Sequence, residues 1–467
     1  MNDWVPELGG IGHVHIVAIG GAAMSALAHI LLAEGHRVTG SDQSDGPVLD
    51  ALRNAGAKVW IGHDRRHIHG ADLVAVSTAI GPGNPELDAA VAQGIPVAGR
   101  PAMMEAIARG KRTVAVSGTH GKTTTSAMLA LALDSAGFAP SFIVGGLVRQ
   151  LGTGVRWNPG PWLTVEADES DGSFLRFRAE SVIVTNIEED HLDFHKTMAN
   201  LEAAFDAFVD QSTGVRVVGA DDEGARRLRQ RHRAMISYGT DPEADFHIAD
   251  YVVDGMGSRV RVERGGRLVA EVVLRVPGLH NARNAVAVLA MGVELGAPID
   301  RLVASLGEFA GVARRFEWRG EVNGITFIDD YGHLPAKVLA TLRAARAVAP
   351  GAGWRRIVAV FQPHRYTRTE ALGAEFGDAF SDVDLVVVTP IYAAGQTPIP
   401  GVTSRRISDA VRTRHPGAAV VDVSDRAELV AFLAAELRAG DVCITLNAGD
   451  LTTLPDELLS LLEPGRG

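Results

Sequence analysis

The sequence predicts an α/β protein of three domains, and three observations carry that prediction. Short apolar runs alternate with helix-like stretches through the first and last thirds of the chain, a rhythm that calls for parallel strands joined by crossover helices. A compact strand, a glycine turn and a long helical stretch open a second block near Lys111. The segment 246–276 breaks the rhythm: valines alternate with Arg, Glu and Gly, which predicts a small antiparallel element. The length of 467 residues suits about three domains at roughly 150 residues each. The expected limits are 1–110, 111–314 and 315–467.

Each block can be read in order. His13–Gly21 reads as a strand, Met24–Ala33 as a helix ended by Gly35, and His36–Gly40 and Leu73–Ser77 as further strands. Together they predict a doubly wound, Rossmann-like sheet. In the second block Arg112–Ser117 is a β-branched strand and Thr123–Ala136 a helix; Trp162–Glu166 and Ser181–Thr185 are strands, and a helix from about 281 to 295 follows the meander. With Gly118, Gly121 and Lys122 set between that first strand and helix, this is the pattern of a P-loop ATPase-type α/β domain. The third block begins near Val312–Glu321 and carries strands at Ile325–Ile328, Ile357–Phe361, Leu385–Thr389, Ala419–Val423 and Val442–Leu446, an open α/β pattern again.

Composition narrows the function. Apolar residues make up 46% and charged residues 22%, and the net charge is -11. An acidic chain lacks the basic surface that non-specific nucleic-acid binding requires, while a local basic pocket for a small phosphorylated ligand stays open. The one cysteine, Cys443, sits in an apolar run and reads as a core thiol; a single cysteine forms no internal disulfide and fits a reducing cytosol. The start MNDWVPELGG has no basic-then-apolar signal pattern, and no run of 18 apolar residues occurs. The expectation is a cytoplasmic protein without a membrane span.

The sharpest signal is Gly118-Thr119-His120-Gly121-Lys122-Thr123-Thr124, between a predicted strand and a predicted helix. Backbone N–H groups at such a turn point at an anion. Lys122 supplies a charge for β/γ-phosphates, and the Thr123 hydroxyl is placed to ligate Mg²⁺. Val116 stands where the longer Walker loop has glycine, so this is the short G-x-x-G-K-T form. Glu166-Ala167-Asp168-Glu169-Ser170-Asp171 and Thr185-Asn186-Ile187-Glu188-Glu189-Asp190-His191 follow the next strands. Carboxylates crowded at strand ends repel one another unless a cation compensates them. Mg²⁺ held by Thr123, one carboxylate and substrate phosphates is the natural reading, and Glu166 and Glu169 both stay open as that carboxylate.

The first block offers Ile19-Gly20-Gly21-Ala22-Ala23-Met24 after its first strand and Gly40-Ser41-Asp42 after its second. A nucleotide or nucleotide sugar suits that arrangement, although Ala18 and Ala23 occupy glycine positions of the full dinucleotide turn. The third block places Phe361-Gln362-Pro363-His364-Arg365-Tyr366-Thr367-Arg368-Thr369 and Asp329-Asp330-Tyr331-Gly332-His333 at strand ends. Guanidinium groups there suit a carboxylate or phosphate.

Taken together, GTHGKTTT at 118–125, EADESDGSF at 166–174, TNIEEDHLD at 185–193, PGLHNARNA at 277–285, RRF at 314–316, DDYGH at 329–333, FQPHRYTRT at 361–369 and the YAAG beginning at Tyr392 resemble the Mur ligases, from about Val14 to Leu459. FQPHRYTRT and EADESDGSF resemble the branch that adds alanine. The resemblance implies a UDP-sugar-binding first domain, an ATP-binding second, and a third that receives the amino acid and closes over ATP. It implies ligation of L-alanine to the lactyl carboxylate of UDP-N-acetylmuramic acid through an acyl phosphate, in peptidoglycan precursor synthesis. By the same resemblance Lys122, Glu166, His191, His333, His364 and Arg365 serve catalysis, and Thr123, Glu166 and His191 surround Mg²⁺. Gly118 to Thr124, His280, Asn281, Asn284, Arg315 and Asp330 bind ATP. Gly20, Gly21, Ser41, Asp42 and Ser77 line the UDP-sugar site, while Tyr331, His364, Arg365 and Arg368 meet the sugar carboxylate and amino acid. The partners are small molecules, with monomer and homodimer both open.

The chain departs from the family pattern at Ala18 and Ala23, at Leu334-Pro335-Ala336-Lys337, where a second histidine and Pro-Thr-Glu are usual, and at Asn447. Two other classes stay open on these residues: a related ligase with another amino acid, peptide or nucleotide sugar, and a nucleotide-binding scaffold without turnover.

Overall fold

The computed structural model describes residues 4–77 and 80–463; the side chain of Asp193, one of the acids in the TNIEEDHLD stretch, lies outside the described set. The chain forms two compact units. The first runs to Asp250 and adds Arg261–Val272 and Arg283–Phe309; the second holds Tyr251–Val260, Val273–Ala282 and the chain from Ala310 onward.

The first unit opens with β1 (His13–Val17), α1 (Ala22–Ala33), β2 (Arg37–Asp42), α2 (Pro47–Asn54), β3 (Lys58–Ile61), β4 (Leu73–Val76), α3 (Pro85–Gln93), β5 (Val97–Gly99) and α4 (Arg100–Ala108). The strands form one parallel sheet in the order β3-β2-β1-β4-β5. Every residue of β1 and β4 is buried, as expected of parallel strands covered on both faces. The predicted first strand stops four residues early, because Ala18 turns the chain with a φ of 61°. The sequence reading passed over β3, a half-exposed edge strand whose Lys-Val-Trp-Ile lacks a clean alternation.

The second sheet is built from β6 (Arg112–Ser117), α5 (Lys122–Ser135), β7 (Ser141–Val148), β8 (Thr153–Arg156), β9 (Trp162–Glu166), β10 (Ser181–Val184), α6 (Leu192–His195), α7 (Met198–Asp210), β11 (Arg216–Gly219), α8 (Glu223–Arg231) and β12 (Ile236–Gly239). It continues through β13 (Phe246–Asp254), β14 (Gly257–Arg264) and β15 (Arg267–Leu274), then α9 (Leu279–Glu294) and α10 (Ile299–Glu308). The order is β15-β14-β13-β12-β11-β10-β6-β9-β7-β8. Two-residue links at Gly255-Met256 and Gly265-Gly266 join β13, β14 and β15, and links that short connect only antiparallel strands. The predicted meander is therefore present. α5 is buried nearly all round, so it shows no polar face. β7 escaped the sequence reading because Gly145-Gly146 looks like a turn; the strand carries a register shift there.

The first two sheets share one apolar core, from Val14 and Leu27 through Ala115, Val165 and Phe174 to Met235. At about 25 cal/mol per Å² of apolar surface, that continuous burial is what makes a single compact unit of them.

The third sheet uses β16 (Glu317–Val322), β17 (Ile325–Asp330), α11 (Pro335–Ala352), β18 (Arg356–Phe361), α12 (Tyr366–Leu372), β19 (Leu385–Val388), α13 (Arg405–Arg414), β20 (Ala419–Asp422), α14 (Arg426–Glu436), β21 (Asp441–Leu446) and α15 (Leu454–Leu462). The order is β16-β17-β21-β18-β19-β20, parallel except for the β16–β17 pair. Cys443 is buried in β21, and burial pushes its thiol up to about 12, as expected of a core thiol. Among the described residues no helix is long and apolar enough to cross a membrane.

Candidate active site

The register of the second sheet assembles one site. Val116 pairs with Glu166 and Ser117 with Val184. The turn after β6 therefore emerges between the acids that follow β9 and the segment that follows β10. The chain crosses from one side of β6 to the other here, and such switch points are where open sheets hold ligands.

Glycine is required twice in that turn. Gly118 has φ 132°, and a Cβ there would collide with Thr185 Oγ1 and lie 2.9 Å from the Asn186 carbonyl. Gly121 caps α5 in the left-handed region, φ 83°, with Asn284 Oδ1 only 2.7 Å from where a Cβ would stand. The loop is clamped from the neighbouring strand end. Asn186 Oδ1 accepts from His120 N at 2.8 Å, and Asn186 Nδ2 donates to the His120 carbonyl at 3.1 Å. The Thr185 hydroxyl donates to that carbonyl at 2.6 Å, and Glu188 N donates to Thr119 Oγ1 at 2.9 Å. A loop fixed on one side presents its remaining N–H groups at the start of α5, the arrangement that binds phosphate.

Lys122 and the acids face one another. Lys122 Nζ donates to Gly118 O at 2.7 Å and to both oxygens of Glu169 at 2.8 Å, with Asp168 at 3.8 Å. Glu169 is 1% exposed; burial drives its carboxyl up, against the pull of Lys122. Burial also pushes Asp168 up, but Lys122 and the bonds from Ser170 outweigh it and the net shift is downward. The Thr123 hydroxyl donates to Glu166 Oε1 at 3.1 Å, and Gly145 N donates to Glu166 Oε2 at 3.0 Å. His191, in the left-handed region at φ 55°, lies 3.5 Å from Asp190 and 3.9 Å from Glu169. Among the described residues no three acid, imidazole or thiol groups converge as a ready-made metal cage. The donors present are hard oxygens plus one imidazole. That set suits a cation such as Mg²⁺, which takes one or two protein ligands and completes its shell with water and phosphate.

At the carboxyl end of β2, Asp42 Oδ2 accepts from Gly20 N at 2.9 Å, which fixes the turn into α1. Ser41 is buried; its hydroxyl donates to Glu86 at 2.6 Å and lies 2.9 Å from His63 Nδ1. Ala18 occupies a glycine position in left-handed backbone, a strain of about 1–2 kcal/mol for an L-residue. Ala23 lies inside the first turn of α1, where a methyl group is harmless. Arg100 reaches from α4 to Asp171 at 2.9 Å and to Ser173 at 3.2 Å, tying the first sheet's edge to the acidic segment.

The second unit gathers the remaining motifs around β17, β21 and β18, where Asp330 and Phe361 both pair with Leu446. Asp330 is buried, its carboxyl raised by burial, and accepts from Phe316 N at 2.8 Å, Gly332 N at 2.7 Å and the Thr341 hydroxyl at 3.1 Å. It so pins the Arg314-Arg315-Phe316 turn, where both guanidinium groups lie over the Tyr331 ring at 4.9 and 5.2 Å. His333 is 5.0 Å from Tyr331 and 5.8 Å from His364 between ring centroids. Burial holds the His333 ring down at about 3. Burial, then Arg368 and Arg365, hold His364 at about 4. Arg368 Nη1 lies 2.8 Å from His364 Nδ1. Asn281 donates to the Pro277 carbonyl at 2.7 Å.

Nine non-glycine residues among those described take positive φ, and His191, Arg314, Phe316, Arg365 and Ala394 fall within the motifs. Strain of that kind persists where function demands it.

Comparison with known proteins follows the same order along the chain. Profiles described as "Mur ligase family, catalytic domain", "Mur ligase middle domain" and "Mur ligase, glutamate ligase domain" match residues 13–112, 164–292 and 314–449. A UDP-N-acetylmuramate–L-alanine ligase from Acidothermus cellulolyticus is 43% identical over 97% of this chain and 95% of its own length. The chain belongs to the Mur ligase family. The enzyme of the same name from Nitrobacter winogradskyi is 42% identical over 97% of this chain and 98% of its own. The crystal structure of UDP-N-acetylmuramate-alanine ligase from Thermotoga maritima superposes with a TM-score of 0.82 at 28% identity, covering 96% of this chain and 98% of that one.

Membership in the Mur ligases makes the three-domain α/β architecture expected from the sequence a finding. Two roles were not foreseen. Glu169, rather than Glu166, holds Lys122, and Asn186 braces the turn between β6 and α5. The signal for the second was its place at the end of the strand beside β6. Asn447, where this family usually has glycine, donates to the buried Asp329 at 3.0 Å and accepts from Arg314 at 2.7 Å, so its amide has work that glycine could not do.

Proposed function

We propose that this chain ligates L-alanine to the lactyl carboxylate of UDP-N-acetylmuramate at the expense of ATP, in the cytoplasmic synthesis of peptidoglycan precursors. The observation that carries the reading is the clamped loop at Lys122 facing the carboxylates after β9. Near-full-length similarity to alanine ligases supplies the substrates.

The reaction has two steps. A lactyl carboxylate oxygen attacks the γ-phosphorus of ATP, the bond to the β-phosphate oxygen breaks, and ADP leaves. The amine of alanine then attacks the carbonyl carbon of the acyl phosphate; the tetrahedral intermediate expels phosphate and the nitrogen gives up a proton to leave an amide. Both steps need positioning and charge neutralisation more than a protein nucleophile. Gly118 to Thr124 would hold the phosphates, with Lys122 leaving Glu169 for the β/γ oxygens. Thr123 and Glu166, with His191 nearby, would hold Mg²⁺, which would neutralise phosphate charge. His280, Asn281, Asn284, Arg315 and Asp330 would serve the adenosine and its phosphates. Tyr331, His333, His364, Arg365 and Arg368 would serve the carboxylate, its developing oxyanion and the amino acid, the two guanidinium groups supplying positive charge to the oxygens. Gly20, Gly21, Asp42 and Ser77 would take the UDP sugar, with Ser41 acting from beneath. The domain limits fall at 110/111 and 314/315 in this reading.

Phosphate release measured over a panel of UDP-sugars and amino acids tests it. Release should require UDP-N-acetylmuramate and L-alanine together; release with another pair alone would overturn the substrate assignment.

A further inference from the structure

The N-terminal sheet hides a charge that the reaction does not use. Glu86, the second residue of α3, is fully buried. Its carboxylate accepts from the Ser41 hydroxyl at 2.6 Å and contacts His63 Nδ1 at 3.0 Å and His67 Nδ1 at 2.8 Å, with Asp64 N at 3.4 Å. From beneath, the buried His15 on β1 places Nε2 at 3.7 Å. A carboxylate so enclosed is costly unless paired and hydrogen-bonded. Burial pushes this one up, but His15, Ser41 and His67 together bring it to about 2, so it remains ionised. Its backbone is fixed as well, since Glu86 N donates to the capping Asn84 Oδ1 at 2.9 Å.

The partners come from separate strand ends. Ser41 belongs to β2, His63 and His67 follow β3, and Glu86 opens the helix after β4. Trp60 stacks on His67 with centroids 4.5 Å apart at 7°, which leaves that ring little freedom. The next residue after Ser41 is Asp42, which anchors Gly20 N. The carboxyl ends of strands in an open sheet face the ligand. We propose that Glu86 is a positioning residue for the nucleotide sugar, its carboxylate tying the β2, β3 and β4 loops together and, through Ser41 and Asp42, holding the glycine turn. The inference rests on the reading that the first domain takes the UDP sugar.

Glu86→Gln keeps the shape and removes the charge. Steady-state kinetics should show the KM for UDP-N-acetylmuramate rising about tenfold, the scale of a buried polar bond left unmade. kcat and the KM values for ATP and L-alanine should stay within about twofold. The Kd for the nucleotide sugar alone, by calorimetry, should move with its KM. His67→Gln, which removes one bond, should give a smaller change of the same kind, and it decides the matter with Ser41→Ala if Glu86→Gln does not fold. A fall in kcat with that KM unchanged, or all three KM values rising together, would overturn the proposal. Asp42→Ala separates the two ideas. If it weakens nucleotide-sugar binding while the Glu86 and His67 variants do not, the hub falls and the domain reading stands. If Asp42→Ala and the hub variants all leave binding unchanged, the domain reading falls with it.

Discussion

Replacing Lys122 by alanine should damage this protein twice, and the two injuries can be separated. Lys122 Nζ sits 2.8 Å from both oxygens of Glu169, and the side chains are only 12% and 1% exposed. Removing one partner of a buried pair leaves the other charge uncompensated, at about 3–5 kcal/mol. Glu169 can escape by taking up a proton, which argues for the lower figure, about 3 kcal/mol. In a unit of this size that is roughly 6–12 °C of melting temperature. The pH dependence has a definite sign. Glu169 in the variant has a folded-state pKa raised further above its unfolded value of about 4.3. Its stability is therefore complete below about pH 4 and is lost as pH rises through the folded value. Lys122→Ala should melt nearest to wild type in acid and fall progressively behind as pH rises above the unfolded carboxylate value of about 4.3. Adding Glu169→Gln removes the stranded charge, so the double variant should recover more than half of the loss and lose the pH slope. Neither variant should turn over, because the phosphates lack their lysine. Calorimetry across pH, paired with phosphate release, reads both effects. A Lys122→Ala protein with wild-type turnover would refute the site; one with wild-type stability, unmoved by Glu169→Gln, would refute the buried-pair argument.

Three further outcomes follow. Gly121→Ala forces an L-residue to φ 83° and sets a methyl 2.7 Å from Asn284 Oδ1; titration with ATP should show binding weakened at least tenfold, a cost of about 1.4 kcal/mol or more, and unchanged ATP binding would contradict the loop geometry. Ala18→Gly relieves the strain at φ 61° and should raise the unfolding free energy by up to about 1 kcal/mol in denaturant titrations, the gain trimmed by glycine's unfolded-state entropy; a clear loss would mean the methyl makes a needed contact. His333 and His364 lie near 3 and 4 in the fold, below their ordinary 6.5, so their contribution to stability is present above about pH 6.5 and is lost as pH falls toward 4. Imidazole nitrogen shifts should report both rings neutral at pH 6, and a ring titrating near 6.5 would show that it is not buried as described.

What was legible in the sequence was the part dictated by local chemistry. The strand, glycine, lysine and helix occupy consecutive residues, so the turn from Gly118 to Thr124 could be placed between a strand and a helix from the sequence alone. The meander expected at 246–276 announced itself by the alternation of valines with polar residues, and the structure has it as three strands from Phe246 to Leu274. Pairings between distant segments were less visible. Nothing local distinguishes Glu166 from Glu169; one faces Thr123 and the other Lys122 because Glu166 ends β9 and Glu169 lies in the loop beyond it. Asn186 looked like one polar residue among several until β10 came to lie beside β6. Glu86 drew no notice in the sequence, and only the burial of β1 and β2 beneath it reveals the three histidines. Ser41 was read as facing a ligand; the fold turns its hydroxyl onto Glu86. β3 and β7 were missed where an edge position and a glycine pair hid the period of a strand.

The central claim is that the turn at Lys122 cradles a triphosphate. A crystal structure with a non-hydrolysable ATP analogue and Mg²⁺ tests it most directly. The account predicts β- and γ-phosphate oxygens within hydrogen-bonding distance of Lys122 Nζ and the N–H groups of Gly121 to Thr123, with Glu169 released from the lysine. An analogue bound elsewhere, with Lys122 still paired to Glu169, would contradict it.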